Sequence, residues 1–256
     1  EEIRRQISVN TSVTPWEWEG CKVNLLDTPG YADFVGEVKG AVRVSDGVVL
    51  VLCAASGVEV GTELVSQYAD ERNLPRLAFV NKMDRENADF EQTLEQMKAR
   101  FDANFVPLQL PIGSQAAFQG VVDLLTMKAY RGDGKQGSDI PAELQEQAQM
   151  LRQQVVEAAA EADDELIIRY LDGEELTVEE IDRGLSIAVG SGKVVPVLCG
   201  SATQNIGVSL LQDAIVGYLP SPAATVEKAR GIVDNSEEDL EAVPAGPLAA
   251  LVFKTM

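Results

Sequence analysis

Histidine is absent from all 256 residues, which removes the usual general base and the commonest metal ligand together. Any catalysis has to come from carboxylates, hydroxyls, Lys, Arg, backbone groups or a bound metal. Positive charge is scarce: 21 Lys plus Arg stand against 41 Asp plus Glu, a net charge of -20. Such a surface repels phosphate backbones, so neither charge-driven nucleic-acid binding nor sequence-specific DNA recognition is expected. One nucleotide can still bind where backbone N–H groups, Lys and a divalent cation neutralise it locally. Cys21, Cys53 and Cys199 are the three cysteines, each in or beside an apolar run. No CxxC pair of the kind that holds zinc or does redox work accompanies them, so they read as buried free thiols of a reducing cytosol. No apolar run approaches the about 20 residues that a bilayer crossing needs, and the opening EEIRRQISV lacks a signal peptide's apolar core. A soluble, cytoplasmic chain with no membrane partner is expected.

What the chain does have is apolar residue, 45% of the total, enough for one sizeable core or two smaller ones. Residues 11–18 roughly alternate, Glu19 and Gly20 read as a turn, and residues 21–27 (CKVNLLD) read as a second strand, together a hairpin at a sheet edge. Short apolar runs at 48–54, 77–81 and 194–199 have the look of buried parallel strands. Helical stretches at 32–44, 62–72, 89–101 and 207–218 alternate with them, so the core is read as α/β with a mostly parallel sheet. Residues 107–193 break the rhythm with a Gly-rich loop at 131–137 and a long acidic helical stretch at 141–162, as an inserted α+β subdomain would. Pro141 in a first helical turn, and Thr177 with Glu180 as a capping box, mark helix starts there. The glutamine-rich face of the 141–162 stretch reads either as a solvated face or as a partner-docking one. After Tyr218, LPSPAAT reads as an exit linker, the run 234–241 is acidic, and GPLAALVFKTM reads as a first strand with nowhere to continue.

The strongest local signal is Asn81, Lys82, Met83 and Asp84 (NKMD), directly after an apolar strand. At a strand's carboxyl end Asp84 can accept from the N1–H and exocyclic NH₂ of guanine, whereas adenine offers an acceptor at N1 and no donor at C2. A site built around such donors rejects the wrong base strongly. Lys82 can lay its methylene stem over the ring, and Asn81 can tie neighbouring loops together. Asp27, Thr28, Pro29 and Gly30 (DTPG) also follow a strand. There Asp27 can hold a Mg²⁺ ion through water, and Gly30 can bring its N–H to a terminal phosphate; an ordinary strand-to-helix turn is the other reading. Gly200, Ser201 and Ala202 (GSA) follow the last strand, where a small residue lets a backbone N–H face guanine O6. The order DTPG, NKMD, GSA, each after its own strand, points to a guanine nucleotide at the strands' carboxyl ends.

With those residues in view, the chain resembles the GTP-binding domain of the elongation factor G family over nearly its whole length. The stretches YADFVGEVKGAVRVSDGVVLVL, FVNKMDRENADF, FQGVVDLLTMKA, YLDGEELT and CGSATQNIGVSLLQDAIVGYLPSP are similar to that family's core and to its own inserted subdomain. The resemblance implies a P-loop-type GTPase fold truncated at its amino terminus. Residues 1–106 and 194–222 would be the GTP-binding domain, 107–193 the insert, and 223–256 a linker and the start of a β-barrel domain. It also implies GTP or GDP with Mg²⁺ as ligands, the ribosome as partner of the complete protein, and translocation or recycling as its work. Hydrolysis would belong to the parent protein, with weak or no nucleotide binding by this chain alone. A guanine-nucleotide switch, or a ribosome-binding module with little hydrolysis, is the alternative.

Two departures limit the carry-over. No GxxxxGK[ST] string occurs, so the phosphate-binding loop is not in this sequence. RRQISV stands in the place of the family's RGITI-like segment, which puts Ser8 where a Thr hydroxyl contacts Mg²⁺ and Gln6 in place of a Gly. Tyr31 follows DTPG where translational GTPases usually carry the His that positions the attacking water. A phenol with a reference pKa near ~10 is a poor proton acceptor at neutral pH, though its hydroxyl can orient a water. Slow or differently activated hydrolysis is expected, with a neutral family variant as the other reading.

Overall fold

The computed structural model describes residues 2–5, 7–132, 136–224, 226–230, 237–243, 246 and 248–255. Gln6, residues 133–135 of the Gly-rich loop and residues 234–236 of the acidic run therefore lie outside the described residues. A short helix α1 (Glu2–Arg5) leads to strands β1 (Ser12–Trp18) and β2 (Cys21–Asp27). These pair antiparallel from Ser12 with Asp27 to Trp18 with Cys21. Glu19 and Gly20 both take positive φ (45° and 77°) between them, the geometry of a tight hairpin turn. The expected edge position is not found, because the pair forms a two-stranded sheet of its own. β1 carries Pro15, which donates nothing to a ladder, and most of both strands is exposed. The hairpin lies apart from the main sheet, and Cys21 is exposed, not buried as expected; Cys53 is half-buried, Cys199 is buried, and all are free thiols.

A 3₁₀ turn (Ala32–Phe34) and α2 (Val35–Val42) follow, then β3 (Val48–Cys53), α3 (Val60–Glu71), β4 (Arg76–Asn81), α4 (Phe90–Arg100) and β5 (Asn104–Pro107). α4 starts where the Asp89 carboxylate accepts from Gln92 N at 2.9 Å, and Lys98 and Arg100 in its last turn suit the negative end of the helix. β6 (Gln109–Ile112), β7 (Gly120–Asp123), β8 (Lys128–Arg131) and β9 (Gly137–Ser138) form an antiparallel sheet in that order. α5 (Gln145–Ala160), α6 (Asp164–Leu171) and α7 (Val178–Gly190) come next. The Thr177 and Glu180 capping box opens α7 as expected. Pro141, by contrast, precedes a 3₁₀ turn (Ala142–Leu144) and stays outside the helix, its ψ of 137° being extended.

β10 (Val194–Cys199) and α8 (Val208–Tyr218) complete the main body. The parallel sheet runs β3-β4-β10-β5. β10 enters last in the chain yet sits between β4 and β5, and every one of its residues is buried. One hydrophobic cluster joins Leu52, Val80, Met83, Phe90, Met97, Phe105 and Val197. The other joins Leu77, Phe79 and Leu198 of the sheet to Leu124, Val155, Leu166, Ile181 and Leu185 of the 107–193 segment. That segment therefore shares a core with the sheet, and no separate core divides them. The region after Tyr218 differs from expectation: β11 (Val226–Arg230) and β12 (Glu237–Glu241) pair antiparallel. Residues 248–255 adopt no strand, since a strand needs a partner to satisfy its backbone and none lies alongside among the described residues.

Candidate functional site

Asn81 ends β4, and the chain turns sharply through Lys82, which takes a φ of 63°. A non-glycine residue in that region is held there by its surroundings. Here the holding group is the Asn81 carboxamide: its Oδ1 accepts from Lys82 N at 2.7 Å and from Ala202 N at 3.0 Å. Met83, only 1% exposed, anchors the turn in the core, with its N–H on Gly200 O at 3.1 Å. Asp84 comes next, and its Oδ1 is buried without any hydrogen-bond partner. A buried acceptor left unmade costs about 1–3 kcal/mol. Lys82 is exposed beside it.

The GSA turn is built from the other side of the same seam. Gly200 donates to Val80 O at 3.0 Å, and Ser201 and Ile206 exchange backbone hydrogen bonds at 3.0 Å. Glycine is required at both ends of that turn. A Cβ on Gly200 would stand 2.3 Å from Ile206 O, and one on Gly207, whose φ is 78°, would stand 2.4 Å from Cys199 O. Ser201 is buried, its hydroxyl accepting from Gln204 N at 3.3 Å, while Ala202 is exposed. The Ala202 N–H, which the sequence aims at guanine O6, is thus engaged by Asn81 in this structure. NKMD and GSA, 121 residues apart between Asn81 and Ala202, are one joined unit.

DTPG is placed differently. Asp27 ends β2 exposed, Pro29 is buried, and Gly30 lies against the first turn of α3, where a Cβ on Gly61 would come 3.8 Å from Gly30 O. No hydrogen bond or ion pair engages the Asp27 carboxylate among the described residues, and none joins DTPG to the NKMD and GSA unit. Thr28 is half-buried, and Tyr31, 58% exposed, immediately precedes the 3₁₀ turn. Ser8 is half-buried in the segment before β1. Ser12 pairs with Asp27, so a short stretch of chain separates Ser8 from the end of β2. The neighbouring Val9 and Asn10 amides both donate to Glu2 Oε1, at 2.8 and 3.1 Å, which lowers that carboxyl's pKa.

Two electrostatic features flank these loops. Glu37 of α2 accepts from Thr11 N at 2.6 Å and from Lys254 Nζ at 2.9 Å. The Thr11 amide first and the Lys254 ammonium second draw its carboxyl down from the ordinary 4.5 to about 2. Cys53 ends β3 in register with Asn81. Burial works to raise its thiol pKa, but hydrogen bonds from the Ala55 and Ser56 amides and the Ser56 hydroxyl, with the nearby Lys82 charge, bring it below its ordinary value. Sequence reasoning passed over Gln109, a buried polar residue in the apolar run PLQLPI whose Oε1 accepts from Cys199 N at 2.9 Å. An amide amid apolar neighbours is the signal that singles it out.

Comparison with known proteins agrees with this arrangement. The family model described as the elongation factor Tu GTP binding domain matches residues 1–221. A crystal structure of a protein from Thermus thermophilus is similar at 35% sequence identity with a TM-score of 0.80, over 87% of this chain and 34% of that one. The chain thus spans about a third of the length of that protein. The α/β fold, with its parallel sheet and antiparallel subsheet, is that of such a domain. Domains of this kind bind GTP, typically with Mg²⁺, and are generally GTP hydrolases. With its NKMD and GSA loops joined at the carboxyl ends of β4 and β10, this chain belongs to the family of elongation factor Tu GTP-binding domains.

Proposed function

We propose that this chain is the guanine-recognising part of a translational GTPase of the elongation factor G branch, acting on the ribosome in translocation or recycling. The observation that carries the base assignment is the buried, partnerless Asp84 Oδ1 beside a turn locked by Asn81. Asp84 accepts the guanine N1–H and 2-amino group, the Lys82 stem covers the ring, and guanine O6 competes with Asn81 Oδ1 for the Ala202 N–H. Ser201 holds the turn that presents that amide. Thr28 and Pro29 shape the loop that brings the Gly30 N–H to the terminal phosphate. The residues fit a Mg²⁺ ion, since Asp27 and Ser8 supply hard oxygen donors and the Asp27 carboxylate is otherwise unengaged. Asp27 would hold the ion through water and Ser8 directly, and the ion would neutralise phosphate charge.

The assignment to the elongation factor G branch rests on the stretches FQGVVDLL and YLDGEELT in the 107–193 insert, between the two parts of the GTP-binding domain at 1–106 and 194–222. The linker and the start of a β-barrel domain would follow at 223–256. Phosphate binding requires a GxxxxGK[ST] loop, which these 256 residues do not contain. Among the described residues β3 has no strand on its outer side, and that edge is suited to a further strand carrying it. Without that loop, GDP binding by this chain alone is expected to be micromolar or weaker.

Replacing Asp84 tests the base assignment. Xanthine carries a carbonyl where guanine carries its 2-amino group, so Asp84→Asn in the full-length protein should exchange guanine for xanthine preference. Titration with GDP, XDP and ADP measures it; equal binding of GDP and ADP by the wild type, or no exchange in the variant, removes the reading. Tyr31 orients the attacking water less effectively than an imidazole, so Tyr31→His should raise ribosome-stimulated GTP turnover. An unchanged rate would mark Tyr31 as a neutral variant.

A further inference from the structure

Where the insert begins, it takes over from the sheet. β5 ends at Pro107, opposite Val197 of β10, and the Leu108 N–H closes the ladder on Val197 O at 2.9 Å. β10 continues through Leu198 and Cys199 with no β5 backbone beside it. The Cys199 N–H faces that gap inside a fully buried residue, and Gln109 Oε1 fills it at 2.9 Å. Gln109 is itself 2% exposed. A neutral carboxamide is suited to this place, because a carboxylate there would carry a buried charge with no cation paired to it. Gly200, Ser201 and Ala202 follow the supported peptide without a break.

The neighbouring loop rests on the same hairpin. Beyond β6 the chain turns at Gly113, and the Gln115 N–H donates to Met83 O at 2.9 Å. Met83 is thereby held from below by Gln115 and from the side by Gly200 O, and Phe118 and Val121 of the hairpin share its hydrophobic cluster. Both loops therefore rest on residues 109–121 as well as on the sheet, and on its outer side beyond Pro107 these residues take the place of β5.

We propose that Gln109 is a positioning residue for guanine selectivity: by holding the Cys199 peptide it fixes where the Ser201 and Ala202 turn presents its amide to the base. This rests on the reading of NKMD and GSA as a guanine site. Gln109 is buried and bonds the peptide before the turn, so its loss should act on the base and leave phosphate contacts alone. Gln109→Met keeps the length and apolar volume but offers only a thioether, a far weaker acceptor than the carboxamide oxygen.

In the full-length protein, Gln109→Met should weaken GDP binding about fivefold to tenfold, the worth of roughly one neutral hydrogen bond. ADP binding should stay unchanged, so the GDP to ADP ratio falls. A folded Gln109→Met protein with an unchanged ratio, or with equal losses for both nucleotides, overturns the proposal and leaves the guanine reading standing. Equal GDP and ADP binding by the wild type refutes both. If Gln109→Met does not fold, amide exchange of the wild type decides: GDP should slow exchange at Cys199 and Ala202 and ADP should not, and no difference between the nucleotides refutes the proposal.

Discussion

The loops after β4 and β10 and the loop after β2 stand at strand ends alike, yet they are built in opposite ways. NKMD and GSA are bolted to each other by Asn81 and sit on fully buried sheet residues. DTPG leaves a largely exposed hairpin that pairs only with itself, and its ties to the rest run through side chains such as Glu37 to Thr11 and Trp18 Nε1 to Asp213 at 2.7 Å. On the proposed reading, the difference suits the tasks. A base is told from another by fixed donors and acceptors, and fixing them requires a packed support. A loop that senses the far end of a nucleotide has to change place, and elements that move are drawn from the least buried parts of a fold.

The largest expected effect tests the packed support. Phe105, 1% exposed, lies in the cluster under Met83, and Phe105→Ala should cost about 3–5 kcal/mol by urea denaturation. Val13→Ala in the hairpin, at a 54% exposed position, should cost less than about 0.5 kcal/mol. Similar losses at the two sites would break the contrast. Next comes the bolt. Asn81→Ala leaves the Lys82 and Ala202 amides without their acceptor, a local loss of about 1–2 kcal/mol, and hydrogen exchange at those amides should quicken accordingly. Exchange as slow as in the wild type would show that the sheet alone holds the loops.

The smallest effect concerns acid. Glu37 has its carboxyl lowered from 4.5 to about 2 by the Thr11 amide and Lys254. A depressed folded-state pKa contributes stability that is present above 4.5 and is lost as pH falls toward about 2. Both tryptophans, Trp16 and Trp18, lie in β1, so their fluorescence reports on the hairpin. It should change across that acid window in the wild type and lose that step in Glu37→Gln. The same step in the variant would assign it to another group.

Much of this was legible in the residues. The apolar runs at 48–54, 77–81 and 194–199 became β3, β4 and β10, because buried parallel strands need apolar residues on both faces. The Thr177 capping box and the Glu19 and Gly20 turn were equally plain, since each is a local hydrogen-bonding or φ requirement. β5 and the four strands of the antiparallel sheet were not read, as runs like NFVP and QLPI are too short to show a period. The exposure of Cys21 was missed for a different reason: the hairpin of residues 11–27 was plain, but nothing in it says whether it will join the main sheet.

By itself, then, the sequence determined which residues stand out through local pattern and that each lies at a strand's end: Asp27, Asn81, Asp84, Ser201 and Ala202. The tertiary structure alone decided which of them meet. Placing β10 between β4 and β5 sets Ala202 beside Asn81 across 121 residues and leaves Asp84 Oδ1 buried and unmatched. Strand order is fixed by how whole faces pack, a sum over distant contacts that no short stretch of residues contains. The same holds for Gln109, whose partner exists only because β5 stops short of the end of β10.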